Sequence, residues 1–143
     1  MALLLACARK ISLFDREVKS GNWVRDVGPP IYRIRGKTLG IIGFGKIGKA
    51  VVPKAKAFEL DVIVYSPSLS PHVAKSCDVQ KVELPELLKR SDFITVHAPL
   101  NTNTDKLLGI EQFRQMKETA YVINTSRGGI IDTAALYLSL IHI

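Results

Sequence analysis

The sequence predicts an α/β fold in which a parallel sheet is covered by helices on both faces. From Thr38 onward, short continuous apolar runs alternate with segments of helical periodicity. Apolar runs without a polar residue at every second position are typical of strands that are buried on both faces, as in parallel sheets. A glycine-rich turn over residues 43–48 directly follows the first of these runs. We place the strands at residues 39–42, 62–65, 79–82, 93–96 and 121–124.

Helices are expected between the strands and before the first of them. Apolar residues repeat at helical spacing over residues 2–19, which predicts one amphipathic helix. An extended connection over residues 22–37 follows, so we divide the chain into an N-terminal part, 1–37, and a domain, 38–143. Pro53 lies past the first turn of its helix and predicts a kink or a lost backbone hydrogen bond. The remaining helices are expected at about 46–58, 72–76, 85–90, 110–116 and from 132 onward.

The glycine turn has the Gly-x-Gly-x-x-Gly spacing of a dinucleotide-binding fingerprint, and it stands between a strand and a helix. Gly43 allows the tight turn, Gly45 lets a pyrophosphate approach the backbone, and Gly48 lets the helix pack closely on the strand. Free N–H groups at the start of the helix face the phosphates, and the helix dipole favours them. The whole pattern is therefore that of a Rossmann-type, doubly wound parallel sheet.

Polar or glycine-rich segments also follow three other strands at their carboxyl ends. In doubly wound sheets the ligand binds at this edge. Several such ends on one edge predict a site better than any one of them alone. The segments are the turn at 43–48, Tyr65-Ser66-Pro67, His97-Ala98-Pro99 and Thr125-Ser126-Arg127-Gly128-Gly129.

Arg127 has the clearest chemistry among these residues. It follows a buried strand and precedes Gly128 and Gly129, which allow another backbone or a ligand to come close. A guanidinium can hold a substrate carboxylate through two parallel hydrogen bonds, whereas the alternative is a surface ion pair. We interpret His97 as a hydrogen-bonded structural histidine and Asp92 as a cap or turn residue.

The composition disfavours several other functions. The net charge is +7, but Lys and Arg are scattered, which indicates a solvated surface rather than a patch that binds nucleic acid. No apolar run approaches the ~20 residues of a membrane span. Cys7 and Cys77 lack the spacing of a metal or redox pair, so we expect no metal site and a reducing, cytoplasmic compartment.

Three stretches of the sequence carry a family resemblance: GKTLGIIGFGKIG at 36–48, SDFITVHAPL at 91–100 and NTSRGGIID at 124–132. Together they resemble the D-isomer-specific 2-hydroxyacid dehydrogenases, with the phosphoglycerate dehydrogenase and hydroxypyruvate/glyoxylate reductase branches nearest. The resemblance covers about residues 2–138. It implies a nicotinamide-binding domain inserted into a split catalytic domain, and hydride transfer to or from a small 2-hydroxy or 2-oxo acid. It also implies a homodimer that pairs through the region of residues 2–37.

The resemblance assigns roles to residues at the carboxyl edge. Lys46 and Ile47 would bind the pyrophosphate through backbone N–H groups, and Arg127 would be the catalytic residue that holds the substrate carboxylate. Ala98 and Pro99 would border the adenosine, while residues 125–127 would approach the nicotinamide. His97 matches a position that is not the family's acid/base. The implied cofactor-binding set is Gly43, Phe44, Gly45, Lys46, Ile47, Gly48, Tyr65, Ser66, Pro67, His97, Ala98, Pro99, Thr104, Thr125, Ser126 and Arg127.

The chain also departs from the family pattern. We expect the catalytic Glu and the acid/base His beyond residue 143, and substrate-domain segments on both sides of the chain. The chain would then be a fragment that binds cofactor and is inactive alone. Residues 137–143 leave the pattern, so His142 is not the missing acid/base. An NAD-sensing transcriptional co-regulator of the same family is an alternative, whereas residues 124–132 disfavour an alanine dehydrogenase or a homocysteine hydrolase.

The choice between NAD and NADP depends on the end of the second strand. The fingerprint expects Asp or Glu there, ~20 residues after the glycines, to bind the ribose 2′-hydroxyl. Ser66 occupies the position, and a serine does not repel a 2′-phosphate. No Arg or Lys lies in residues 67–71, and Lys75 is the next cation in the sequence. We therefore expect dual use of NAD and NADP, with a slight preference for NADP.

Overall fold

The computed structural model describes residues 1–23, 28 and 30–140. The strands are β1 (Thr38–Ile42), β2 (Asp61–Tyr65), β3 (Gln80–Lys81), β4 (Phe93–Val96) and β5 (Tyr121–Asn124). The helices are α1 (Ala2–Ala8), α2 (Ile11–Lys19), α3 (Lys46–Ala57), α4 (Pro71–Ser76), α5 (Leu84–Arg90), α6 (Ile110–Arg114) and α7 (Thr133–Leu140), with a 3₁₀ turn at Gly128–Ile130.

The sheet has five strands in the order β3-β2-β1-β4-β5, and every neighbouring pair is parallel. β1 is the central strand. The chain continues through β2 to the edge strand β3, and then forms β4 and β5 on the other side of β1. The order therefore reverses between β1 and β4, and the carboxyl ends of these strands mark the crevice where doubly wound folds bind ligands. The predicted Rossmann-type fold is confirmed.

Apolar side chains form one cluster on each face of the sheet. The first cluster joins Leu39 and Ile41 of β1 to α1, α3 and α4, for example through Leu4 and Val52. The second joins Ile42, Ile63 and Ile94 to α5 and to Leu108 and Ile130. β1, β2 and β4 are nearly continuous apolar runs because both of their faces are buried, whereas the edge strand β3 is polar and exposed.

The prediction of one helix over residues 2–19 is wrong. The chain forms α1 and α2, with a break at Arg9 and Lys10, where Lys10 has a φ of 52°. Leu4 and Ala8 of α1 are buried against the sheet, whereas no residue of α2 is buried. The break thus turns the chain off the sheet, a tertiary effect that the helical spacing does not show.

The remaining boundaries differ by a few residues. β3 has two residues instead of four, and α6 ends at Arg114 instead of residue 116. α3 runs through Pro53 without interruption, so the expected effect is limited to the hydrogen bond that proline cannot donate. The described residues between 22 and 37 belong to no helix or strand, and the part of that prediction on residues 24–27 and 29 lies outside the described chain.

Within the described chain, every helix is too short or too polar to cross a membrane. Cys7 and Cys77 are both free thiols.

Candidate dinucleotide-binding site

The turn after β1 depends on two glycines whose Cβ positions are blocked by backbone atoms. Gly43 has a φ of +89°, and its N–H donates to the Tyr65 carbonyl at 2.9 Å. A Cβ on Gly43 would lie 2.6 Å from the Ala98 nitrogen, and a Cβ on Gly48 would lie 2.6 Å from the Gly43 carbonyl oxygen. The turn is therefore wedged between β2, the segment after β4 and the start of α3.

Gly45 is different, because the space in front of it is open. A Cβ there would meet no heavy atom within 4 Å, and its φ of −81° is accessible to any residue. Gly45 is the N-cap of α3 and offers no side chain to the first-turn N–H groups, which have no intrahelical partner either. Free donors behind an open space fit a pyrophosphate group.

The segment after β2 is a tight turn with two hydroxyl groups. The Leu69 N–H donates to the Ser66 carbonyl at 3.1 Å and closes the turn. Ser66 is 5% exposed, and its Oγ lies 3.2 Å from the Oγ of Ser68. Lys81 of β3 donates from Nζ to the Leu69 carbonyl at 2.7 Å. The sequence drew attention to Ser66 but not to Ser68 or Lys81.

His97, which follows β4, has a structural hydrogen bond. The ring Nε2 of His97 lies 3.0 Å from Oγ1 of Thr95, and the backbone N–H of His97 donates to the Ile42 carbonyl at 2.7 Å. Burial lowers the pKa of the imidazole. His97 is therefore neutral at neutral pH, in keeping with a structural histidine.

Thr104 holds the loop that follows Pro99. Its Oγ1 donates to the Pro99 carbonyl at 2.6 Å and accepts from the Asn101 N–H at 2.8 Å. The hydroxyl group is thus occupied within its own loop. The predicted contact of Thr104 with a cofactor stays a prediction.

Asn124, the last residue of β5, organises the segment that carries Arg127. Its Oδ1 accepts from the N–H and the Oγ of Ser126, at 3.0 and 2.9 Å, and its Nδ2 donates to the Arg127 carbonyl at 2.9 Å. The Arg127 side chain is exposed, and Nη1 donates to the Ser126 carbonyl at 3.2 Å. Behind it, a Cβ on Gly129 would lie 3.1 Å from Leu100, so the loops after β4 and β5 touch.

Parallel pairing brings these segments together. Ile42 is in register with Tyr65 on one side and with Val96 on the other, and Val96 is in register with Asn124. The glycine turn, the Ser66 turn, the His97 segment and the Arg127 segment therefore share one edge. A cavity of about 330 Å³ lies near the amino ends of β4 and β5, and one of about 700 Å³ lies beside β5, α6 and α7 and reaches the edge at Asn124.

We give more weight to the carboxyl edge than to either cavity. The edge combines open space with free backbone donors, whereas the cavities lack that combination of a glycine turn and a helix start. An elongated ligand lying along a rim needs no enclosed volume.

Comparison with known proteins decides the family. The family model described as D-isomer specific 2-hydroxyacid dehydrogenase, NAD binding domain, matches residues 1–142. The chain belongs to this family. The resemblance inferred from residues 36–48, 91–100 and 124–132 is thereby confirmed.

The relatives within the 2-hydroxyacid dehydrogenase family are much longer than this chain. This chain is 46% identical over 137 residues to a D-3-phosphoglycerate dehydrogenase from Archaeoglobus fulgidus, and the match covers 96% of this chain and 26% of the relative. It is 43% identical over 145 residues to a glyoxylate reductase from Thermococcus litoralis, and the match covers 97% of this chain and 44% of the relative. The chain thus spans between a quarter and a half of the length of these relatives.

Solved structures of the family have the same fold. The apo D-lactate dehydrogenase from Escherichia coli superposes with a TM-score of 0.90 at 33% identity, over 99% of this chain and 45% of that one. A D-lactate dehydrogenase with NAD⁺ from Lactobacillus jensenii gives 0.86 at 32% identity, over 97% and 42%.

Sequence reasoning missed Asn124 and Lys81 as parts of this edge. Asn124 carried a usable signal, because an Asn at a strand end two residues before a Ser is typical of a side-chain-stabilised turn. Lys81 carried none, since it lies 15 positions after Ser66 and reaches the Ser66 turn only through the pairing of β2 with β3.

Proposed function

We propose that this chain is the cofactor-binding part of an enzyme that transfers a hydride between a nicotinamide dinucleotide and a small 2-hydroxy or 2-oxo acid. The observation that carries the proposal is the open space at Gly45. Backbone contacts require glycine at Gly43 and Gly48, but nothing in the fold requires it at Gly45. A ligand that presses against the backbone explains that third glycine. The names of the relatives support the substrate class.

Different residues at the carboxyl edge contact different parts of the dinucleotide. The N–H groups of Lys46 and Ile47 bind the pyrophosphate at the start of α3. Ala98 and Pro99 border the adenosine, and the segment of Thr125 and Ser126 lies toward the nicotinamide. The nicotinamide supplies or accepts the hydride, and the protein contributes binding and orientation. The remaining contacts of this proposal are Phe44, Tyr65, Ser66, Pro67, His97 and Thr104.

Arg127 holds the carboxylate of the acid. Its guanidinium is exposed and donates one hydrogen bond, to the carbonyl of its own neighbour Ser126. The other N–H groups can therefore form the two parallel hydrogen bonds that a carboxylate accepts. Asn124 fixes the backbone from which this side chain projects. We assign Arg127 the role of orienting the acid and polarising its oxo group.

We also propose that both NAD and NADP are used, with a slight preference for NADP. Ser66 offers a neutral hydroxyl where the fingerprint expects a carboxylate, so a 2′-phosphate meets no negative charge there. We expect the two dissociation constants to differ by less than about tenfold, or ~1.4 kcal/mol. Ser66→Asp should shift the preference toward NAD.

The wider setting of the chain is part of the proposal. A homodimer is supported by exposed apolar side chains in the N-terminal region, such as Trp23, Tyr32 and Ile11. A reducing cytoplasm is supported by the two free thiols. We place the boundary of the dinucleotide-binding unit at residue 37, with α1 docked on its sheet.

The proposal is tested by titrating the purified chain with NADH and NADPH and following cofactor fluorescence. Gly45→Asp is the informative variant, because Asp is a good N-cap yet places a negative charge where the pyrophosphate binds. We expect its dissociation constant to rise at least about tenfold, a loss of ~1.4 kcal/mol. Ala57→Glu adds the same charge at the opposite end of α3 and should bind normally. Equal binding by both variants would refute the proposed site.

A further inference from the structure

A cation lies beside the Ser66 turn, although the sequence shows none nearby. Lys81 is on the edge strand β3, in register with Val64, two residues before Ser66. Val64 and Leu69, the last residue of the Ser66 turn, pack in the same apolar cluster on one face of the sheet. Lys81 reaches the turn on that side, since its Nζ donates to the carbonyl of Leu69 at 2.7 Å. The cation is therefore tied to the last residue of the turn that begins at Ser66.

In the described part of the chain, the ammonium group of Lys81 is not paired with a carboxylate. Within residues 1–23, 28 and 30–140, the ion pairs of the structure do not include Lys81. An ammonium group has three donors, and the Leu69 carbonyl takes one of them. Two donors and a full positive charge remain beside the turn. The side chain is exposed, so its flexible stem can move toward an incoming anion.

Two hydroxyl groups complete a small cluster at the turn. The Oγ atoms of Ser66 and Ser68 lie 3.2 Å apart, so both are within reach of one group bound over the turn. Because one hydroxyl donates to the other, one O–H proton stays free to donate to an oxygen of a bound anion, and neither hydroxyl opposes the anion with a negative charge. A hydroxyl donor and an ammonium group on the same turn suit a phosphate monoester better than a neutral ribose hydroxyl.

We propose that Lys81, together with Ser66 and Ser68, binds the phosphate on the 2′-oxygen of NADP, and that Lys81 sets the preference between the two cofactors. The inference rests on the proposed function, because it assigns the determinant of cofactor choice within that site. It replaces the missing cation after β2 with one supplied by the neighbouring strand. A purely structural lysine that braces the turn is the competing interpretation.

The test is a set of fluorescence titrations with NADH and NADPH on the purified chain and its variants. Lys81→Gln removes the charge but keeps an N–H donor for the Leu69 carbonyl. We expect NADPH to bind about three- to tenfold more weakly, and NADH to change by less than about twofold. Lys81→Arg should retain NADPH binding. Lys89→Gln, which removes the same charge at an exposed position of α5, should change the affinity for neither cofactor.

The outcomes separate the inference from the proposed function. Equal weakening of both cofactors in Lys81→Gln would show a brace for the turn and overturn the inference, as would no change in either. Added salt should reduce the advantage that Lys81 gives NADPH, because salt screens exposed charges. If the unmutated chain binds neither cofactor, the proposed function fails and the inference falls with it.

Discussion

Gly40 and Gly45 are separated by five positions, and each is glycine for a different reason. Gly40 in β1 faces α5, and a Cβ on it would lie 2.6 Å from Cδ2 of Leu87 as well as against Oγ of Ser91. Gly45 faces open space. Packing within the protein accounts for the first glycine, whereas we propose that a ligand accounts for the second.

Stability measurements should separate these two reasons. Gly40→Ala overpacks the contact between β1 and α5, and we expect the free energy of unfolding to fall by about 1–3 kcal/mol. Gly45→Ser adds a side chain to open space and provides an N-cap, so we expect a change within about 0.5 kcal/mol. Urea unfolding followed by circular dichroism measures both. An equal loss in the two variants would contradict the open space at Gly45.

Arg127 is the residue for which a catalytic role is proposed. A hydrogen bond to a charged group is worth ~1.5–3 kcal/mol, so Arg127→Ala in the full-length enzyme should lower kcat/KM by about 10–100-fold. Cofactor affinity should stay nearly unchanged. Arg114→Ala is the matched control, because Arg114 is an exposed arginine paired with Glu111 at 2.8 Å. Steady-state kinetics that show no difference between the two variants would make Arg127 an ordinary surface arginine.

At the scale of elements, Asp92 ties the amino end of the sheet together. Its Oδ2 accepts from the Thr38 N–H at 2.8 Å, and its Oδ1 lies 3.0 Å from Lys117 and 3.6 Å from Lys37. Burial by itself raises the pKa of this carboxyl group, but the Thr38 hydrogen bond and the two lysines outweigh it. The pKa is therefore lowered from its ordinary value of 3.8. The carboxylate joins the start of β1 and the start of β4 to the segment before β5.

Because the pKa of Asp92 is lower in the folded state, its contribution to stability is complete above the unfolded pKa. That contribution is lost as the pH falls through the folded pKa, so the loss begins below about pH 4. Asp92→Asn should cost about 1–2 kcal/mol at pH 7, since one acceptor of a charged hydrogen bond is lost. The difference between wild type and variant should shrink as the pH is lowered toward 2.5. Urea unfolding across this range checks it, and a difference that is constant with pH would contradict the role.

The strands were predictable because their signal is local. β4 and β5 match the predicted ranges, and β1 and β2 begin one residue earlier than predicted. Continuous apolar runs between polar segments define a strand that is buried on both faces. The break between α1 and α2 was not predictable, because apolar spacing continues across it. The break depends on tertiary packing, because α1 packs against the sheet and α2 does not.

The candidate site also contains residues that local sequence predicts and residues that depend on the arrangement of the whole sheet. The close backbone contacts of Gly43 and Gly48 were predictable from their spacing, because each acts through its own backbone, and the ligand contact of Gly45 stays a prediction. Lys81 was not, because its position at the Ser66 turn follows from the pairing of β2 with β3. Residues that act through a neighbouring strand become visible only when the sheet order is known.

The association state is also a property of the whole molecule. Trp23 is 87% exposed and Tyr32 is exposed too, which suits an interface and is costly for a monomer. We expect sedimentation equilibrium to show dimers at tens of micromolar, and we expect Trp23→Ser with Tyr32→Ser to weaken them. Tyr137→Ser removes an exposed tyrosine of α7 and serves as the control. A monomer at high micromolar concentration would contradict the proposed dimer.

We propose that a dinucleotide binds at the carboxyl edge of the sheet, over the glycine turn. Amide chemical shifts of the ¹⁵N-labelled chain, recorded during a titration with NAD⁺, test it most directly, because the N–H groups of α3 are the proposed ligands. We expect the largest shifts at residues 43–48, with smaller ones at 66–69, 97–99 and 125–128. Shifts confined to the cavity near the amino ends of β4 and β5, or no saturable shifts at residues 43–48, would contradict the claim.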